Sequence, residues 1–212
     1  MEKVLQLDES LFWWINQHHS PALDWTMWFL SNKISWILVL LSVYLIVTII
    51  HDRKSWFWVL TGIALCFLLA DQVSNNVIKD GVMRLRPCHA LENVRMFHTN
   101  KGGLYGFVSS HAANSFAIAM FLSLMYGGKK KIIVNNKKSD TWLRCMGSGY
   151  KAPWIPYFMF VWAAVVGYSR PYLGKHYLGD VVCGAILGIG IGAAVYFVIL
   201  KIRAFIVSKS SE

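Results

Sequence analysis

Cysteine is scarce in this chain: there are four, and they are scattered. Cys66 and Cys183 fall inside apolar segments, where a free thiol behaves as a small hydrophobe. Cys88 and Cys145 fall in loops assigned below to opposite sides of a bilayer, so no disulfide framework is expected. Acidic residues are few as well, 11 against 21 Lys and Arg. No stretch repeats, none is of low complexity and none has the composition of a linker. That excludes a repeat array and a pair of tethered cores, and one domain over 1–212, with its core at 23–201, is expected. A cleavable secretory signal is not expected either. Glu2, Asp8 and Glu9 interrupt the start, and no short apolar region leads to a small-residue cleavage site.

What the chain has in abundance is apolar and aromatic surface. Hydrophobic residues make up 56% of it, with ten Trp and nine Tyr, and the mean hydropathy is +0.44. That is too apolar for a soluble domain of 212 residues, and the Trp and Tyr suit the interface belts of a membrane protein. A net charge of +10 would suggest nucleic acid in a soluble chain. Beside apolar segments it reads as topology-setting and lipid-contacting charge, so the bilayer is the expected partner and nucleic acid is not.

The expected architecture is all-α: a polytopic membrane helix bundle of about five transmembrane spans plus an N-terminal interfacial helix. Residues 8–19 are too short to cross and place Trp13 and Trp14 at head-group level. Residues 23–50 form one span with a polar kink at Ser31-Asn32-Lys33, because about twenty residues cross the hydrocarbon. Residues 56–77, 109–126, 154–168 and 178–200 supply the others. Asp71, Asn75 and Lys79 form a polar stripe at intervals of four along the second. They suit either an orienting role toward Lys79 or polar contacts between helices. Gly184, Gly188 and Gly192 form a small-residue stripe on the fifth, read as a close-packing surface. The 51–54 turn, the basic loop at 127–153 and the C-terminus hold twelve Lys and Arg against nine elsewhere. These segments are therefore expected in the cytoplasm, and the loop at 80–108 on the far side.

Three polar clusters fall on that far side. Lys79 and Arg86-Pro87 occur in KDGVMRLRP. Ser109-Ser110-His111 opens the third span. Arg170, His176 and Asp180 occur in SRPYLGKHYLGD between the fourth and fifth. His176 and Asp180, four apart, share one face of a helix, so the carboxylate is expected to orient the imidazole. Three cations beside a helix N-terminus at Ser109 and Ser110 make an anion site. The two histidines divide into a nucleophile and a proton donor.

The three clusters in this order resemble the signature of the type 2 phosphatidic acid phosphatase superfamily. Lys79 and Arg86-Pro87 have its six-residue spacing, and Ser169-Arg170, His176 and Asp180 match its third part. The middle part departs, because Val108-Ser109-Ser110-His111 stands where Pro-Ser-Gly-His is usual. The resemblance implies a metal-independent, cofactor-free lipid phosphatase working through a phosphohistidine. His176 would be the nucleophile, Asp180 its orienting carboxylate and His111 the proton donor. Lys79, Arg86, Arg170, Ser109 and Ser110 would hold the phosphoryl oxygens. The size and short loops resemble bacterial members, implying an inner membrane with the site facing the periplasm. The basic outer loop favours a polyanionic substrate, lipid A before undecaprenyl pyrophosphate. Its His89 and His98 suit interfacial or loop positions or, with Arg84, Arg95 and Lys101, contacts to a head group. Three other readings compete. A lipid transporter would use the same groove without hydrolysis, and a haloperoxidase would hold vanadate there in a soluble protein. A metallohydrolase would use His111, His176 and Asp180 as ligands.

Overall fold

The computed structural model describes residues 2–51, 55–98, 100–127 and 152–209. The basic run Lys129–Lys138, Cys145 and the 52–54 turn lie outside the described residues.

Helix α1 (Glu2–Gln17) starts well before the expected residue 8, since residues 2–7 extend it by more than a turn. It presents Phe12, Ile15 and Asn16 inward, while Val4, Leu7, Leu11 and Trp14 remain exposed along a neighbouring stripe. An apolar exposed stripe on a helix of this length suits the membrane interface. Helix α2 (Pro21–Ser31) begins with Pro21 behind the N-cap Ser20, whose side chain accepts from Leu23 N at 3.4 Å. Asn32 then takes an extended conformation, its N–H returning to Phe29 O while its side chain accepts from Ile34 N at 3.1 Å. One residue thus closes α2 and caps α3 (Lys33–Leu45), and the two helices meet at 68°. The expected polar kink is this break.

Helix α4 (Trp56–Gln72) runs on through a π-helical stretch (Val73–Lys79) into the short turn α5 (Asp80–Val82). The expected end at residue 77 therefore moves out by more than a turn. After the single turn α6 (Pro87–Ala90) come α7 (Ser110–Tyr126), α8 (Trp154–Tyr172) and α9 (Leu178–Lys209). Among the described residues there is no strand, only an isolated bridge between Leu85 and Tyr105.

Helix α7 is the axis of the bundle. Ala113, Ala117, Ile118, Phe121 and Leu122 are fully enclosed by α4, α8 and α9. Among the described residues, two helices are long and apolar enough to cross a membrane, Trp56–Val82 and Leu178–Ile206. The bent pair α2–α3 makes a third if taken as one broken span. Helices α7 and α8, expected as spans three and four, have 17 and 19 residues and do not reach that combination of length and hydropathy. Their sequences explain this for α7, where Ser110, His111, Asn114, Ser115 and Ser123 are polar and shielded by neighbouring helices rather than lipid. The outcome is an all-α membrane helix bundle.

Candidate active site

The C-terminal ends of α4 and α8 and the N-terminal ends of α7 and α9 meet at one end of the bundle, which gathers the three clusters. Along α4 the polar stripe forms a relay. Asp71 Oδ1 accepts from Asn75 Nδ2 at 2.9 Å, and Asn75 Oδ1 accepts from Lys79 Nζ at 2.6 Å. Lys79 also donates to Ser110 Oγ at 2.7 Å, and that hydroxyl donates to Asn75 Oδ1 at 2.9 Å. Ser74 Oγ joins it at 3.0 Å. The stripe both orients Lys79 and ties α4 to α7, so the two roles weighed for Asp71 and Asn75 are one arrangement.

Ser109 is the N-cap residue of α7, but its hydroxyl is buried without a partner among the described residues. The neighbouring Ser110 points into the cavity instead. His111, in the first turn of α7, packs edge-on against Trp36, ring centres 5.7 Å apart. Arg86 is fixed by Nε donation to Tyr105 O at 3.0 Å. A Cβ on Gly106 would lie 3.1 Å from Arg86 Cγ and 3.2 Å from Asp180 Oδ2. Glycine lets this loop run close between the two side chains, which a Cβ would press apart by a few tenths of an ångström. Arg170, in the last turn of α8, is buried and donates Nη1 to Ser31 Oγ, while its Nε has no partner among the described residues.

His176 does not sit on a helix with Asp180, as the spacing alone implied. It lies in the 173–177 connection, and α9 begins only at Leu178. The pair still meets, because Asp180 occupies the first turn and reaches back. Its Oδ2 accepts from Tyr177 N at 3.1 Å, half of a capping box, and stands 3.5 Å from His176 Nδ1. That approach falls short of a formed hydrogen bond, as is common in active sites without substrate. Burial, with the charges of Arg170, Arg86 and Lys79, holds the His176 imidazole well below the ordinary histidine value. The ring is therefore neutral at neutral pH, with a lone pair to attack or accept a proton.

Lys79, Arg86, Ser110, His111, Arg170 and His176 line one cavity of about 600 Å³. Its other wall is Trp36, Ile37, Leu40 and Phe67 on α3 and α4, two helices that touch little. Ile37 and Phe67 are also exposed on the outer surface, so the cavity opens sideways between these helices. Ser109 and Asp180 stand outside its lining, Asp180 directly behind His176. Among the described residues no group of three or more His, Cys, Asp or Glu side chains is placed to hold a metal ion. The arrangement can desolvate an anionic head, hold it by three cations and present a neutral imidazole, while an apolar tail stays in lipid.

Residue types and spacing gave no indication of Lys175 or Asp8, and pointed Arg84 to a head group rather than to the protein. Lys175, 5% exposed, lies beside Arg86 under Gly102, whose Cβ position is 3.3 Å from Arg86 Nη1 and 3.9 Å from Lys175 Nζ. Burial and the charges of Arg170 and Arg86 lower its pKa to about 8. Arg84 and Asp8 form the other pair and are taken up below. The basic outer loop, in contrast, is less free for a head group than expected. Arg95 is committed to Asp24 by two bonds of 2.9 and 2.6 Å, and His98 stacks on Trp25. Arg84 is bonded to Asp8 and Asp180.

A helix bundle with a lysine, arginines and two histidines around an anion cavity in lipid defines a class, and comparison with known proteins agrees. The PAP2 superfamily profile matches residues 55–204. The chain belongs to the PAP2 superfamily and is a membrane lipid phosphatase. Among its relatives, the Lipid A 4'-phosphatase of Bacteroides thetaiotaomicron is 32% identical over 210 residues, covering 96% of this chain and 82% of the relative. The Lipid A 4'-phosphatase of Porphyromonas gingivalis is 27% identical over 209 residues, covering 96% and 78%. The fold is shared with two crystal structures. Aquifex aeolicus LpxE has a TM-score of 0.58 at 24% identity, covering 89% of this chain and 94% of that one. A PAP2-type phosphatidylglycerolphosphate phosphatase from Bacillus subtilis has 0.59 at 18%, covering 95% and 87%.

Proposed function

We propose that this phosphatase removes a phosphate monoester from lipid A at the periplasmic face of the inner membrane, through a phosphohistidine on His176. The single observation that carries the reading is the two-part cavity, cationic at the bundle end and open to lipid between α3 and α4. A lipid phosphate enters laterally with its head group at Lys79, Arg86 and Arg170 and its chains in the bilayer. Neutral His176 attacks phosphorus as the ester bond breaks, and Asp180 compensates the charge gained by the ring. His111 donates a proton to the leaving oxygen, then accepts one from the water that cleaves the phosphohistidine and releases inorganic phosphate. Lys79, Arg86, Arg170 and Ser110 hold the three equatorial oxygens as charge redistributes. No metal takes part in this sequence. Ser109 acts through the α7 start rather than through its hydroxyl.

Lipid A is chosen over undecaprenyl pyrophosphate because two Lipid A 4'-phosphatases each match 96% of this chain. With Arg84 and Arg95 engaged elsewhere, the basic-loop argument for a polyanionic head group loses weight. The test is phosphate release by the purified protein from lipid A, undecaprenyl pyrophosphate, phosphatidylglycerophosphate and phosphatidic acid, each with and without EDTA. The expected result is lipid A fastest and EDTA without effect. A faster diphosphate overturns the substrate, and loss in EDTA overturns the metal-free chemistry.

Lys175 gives this site a pH signature. A lysine with a pKa of about 8 is charged below that pH and neutral above it, so affinity for an anion falls as pH rises through 8. Inhibition by inorganic phosphate is expected to weaken across pH 7–9 in the parent and to depend less on pH in Lys175→Met. Lys175 stands beside Arg86 and outside the cavity lining, so an unchanged dependence in that variant shows that its charge does not reach the bound anion.

A further inference from the structure

Arg84 falls between Lys79 and Arg86 yet does not line the cavity. Its Nη1 donates to Asp180 Oδ1 at 2.8 Å and its Nη2 to Asp8 Oδ2 at 2.8 Å. The guanidinium carbon lies 4.1 Å from the centre of the Tyr177 ring. Asp8, half-way along α1, uses its second oxygen to accept from Gly179 N at 2.7 Å. Gly179 N is one of the donors that a helix start leaves without an intrahelical partner. The N-terminal turn of α9 is thus capped from two directions, by its own Asp180 on Tyr177 N and by Asp8 on Gly179 N.

We propose that Arg84, held in place by Asp8, is a positioning residue that fixes the Asp180 carboxylate against His176. The proposal rests on the reading of His176 and Asp180 as a nucleophile and its orienting partner. The two oxygens of Asp180 are divided: Oδ1 goes to Arg84, while Oδ2 takes Tyr177 N and faces His176 Nδ1. Rotation of the carboxylate that turned Oδ2 from the imidazole would break the Arg84 bond. A guanidinium reaches two carboxylates at once because its donors lie in a rigid planar fork, which an ammonium cannot reproduce. Asp180 is fully buried, so without Arg84 its charge loses its paired cation within the described residues.

The same bonds make α1 part of the site. Its inner face meets the end of α8, where Asn16 Nδ2 donates to Tyr172 O at 3.0 Å, and the 173–177 connection, where Phe12 packs on Tyr177. Its outer stripe of Val4, Leu7, Leu11 and Trp14 is left for lipid. Packing of this helix on the bundle therefore sets where Asp8 stands, and through Arg84 where Asp180 points.

The test compares kcat and KM for phosphate release from lipid A by the full chain in lipid nanodiscs. Arg84→Ala is expected to lower kcat about 10–100-fold, the range for residues that orient an active group, with KM changed less than about threefold. Guanidinium ion added to the Arg84→Ala protein restores part of kcat, and Arg84→Lys falls between the two. Asp8→Asn lowers kcat less, and adding it to Arg84→Ala costs nothing further, because one chain of contacts is broken once. Should Arg84→Ala not accumulate folded, Arg84→Lys and Asp8→Asn carry the test. A kcat within twofold of the parent in folded Arg84 and Asp8 variants overturns the proposal. So does a loss confined to KM, which would make Arg84 a substrate contact. His176→Ala separates the two levels. If it keeps the parent rate, the underlying nucleophile reading fails. If it is inactive while Arg84→Ala is unaffected, only the brace fails.

Discussion

His176→Ala is expected to stop turnover, with phosphate release falling by about four to six orders of magnitude, the range seen when a nucleophile is deleted from a site whose other groups remain. The physical reason is that the other nucleophile types lining the cavity are engaged elsewhere, Ser31 by Arg170 among them. Among its lining residues, Lys79 and Ser110 are tied to Asn75, and His111 stands across against Trp36. The variant keeps Lys79, Arg86 and Arg170, so inorganic phosphate is expected to inhibit the residual activity about as well as in the parent. Covalent chemistry gives a second readout. Parent enzyme quenched in alkali during turnover carries a phosphoryl group on one histidine, and His176→Ala carries none. A rate within tenfold of the parent, or label on His111 in both proteins, would place the nucleophile elsewhere.

The parts of this site that the sequence made legible are those encoded by residue type at short range. Lys79 and Arg86, the Ser109–His111 helix start, and Arg170, His176 and Asp180 could each be read from a dozen neighbouring residues. Their meeting follows from helices that alternate direction. The helix shared by His176 and Asp180 was the wrong local picture with a sound consequence. Spacing of four brings side chains together on a helix, and here a capping arrangement does the same across a helix start. The Asp71–Asn75–Lys79 relay was visible as a stripe, although its partner on α7, Ser110, was not. Asp8 and Arg84 were out of reach for another reason. They are 76 residues apart, and Asp8 is 171 from Gly179, so no local pattern announces the contact. Lys175 is hidden differently. A lysine in a polar connection normally faces water, and its burial follows from the Gly102 turn folding over it. The early start of α1 was missed because mixed charges at residues 2–9 interrupt the apolar periodicity that marks helices.

The glycine stripe carries the other large expected effect. A Cβ on Gly188 would overlap the Ala113 carbonyl, and one on Gly192 the Ala117 carbonyl. On Gly184 it would stand 2.6 Å from Ser109 O. Helices α7 and α9 therefore touch backbone to backbone along three turns, and at the top Ser109 N donates to Asp180 O at 3.0 Å. This contact sets the distance between His111 on α7 and Asp180 on α9. Gly188→Leu puts a side chain against main chain, which cannot swing aside as a flexible side chain would. The expected cost is about 3 kcal/mol or more, at or beyond the upper end of ordinary overpacking. Gly190 supplies the control, since nothing lies within 4 Å of its Cβ position. Gly190→Leu should shift stability by no more than about 0.5 kcal/mol, as substitutions away from packed features do. Unfolding of both variants in detergent titrations reads the difference, and phosphate release reads whether the site opens with the helices. Equal stability of the two would mean that the stripe is not a packing contact, and that another surface holds His111 and Asp180 in register.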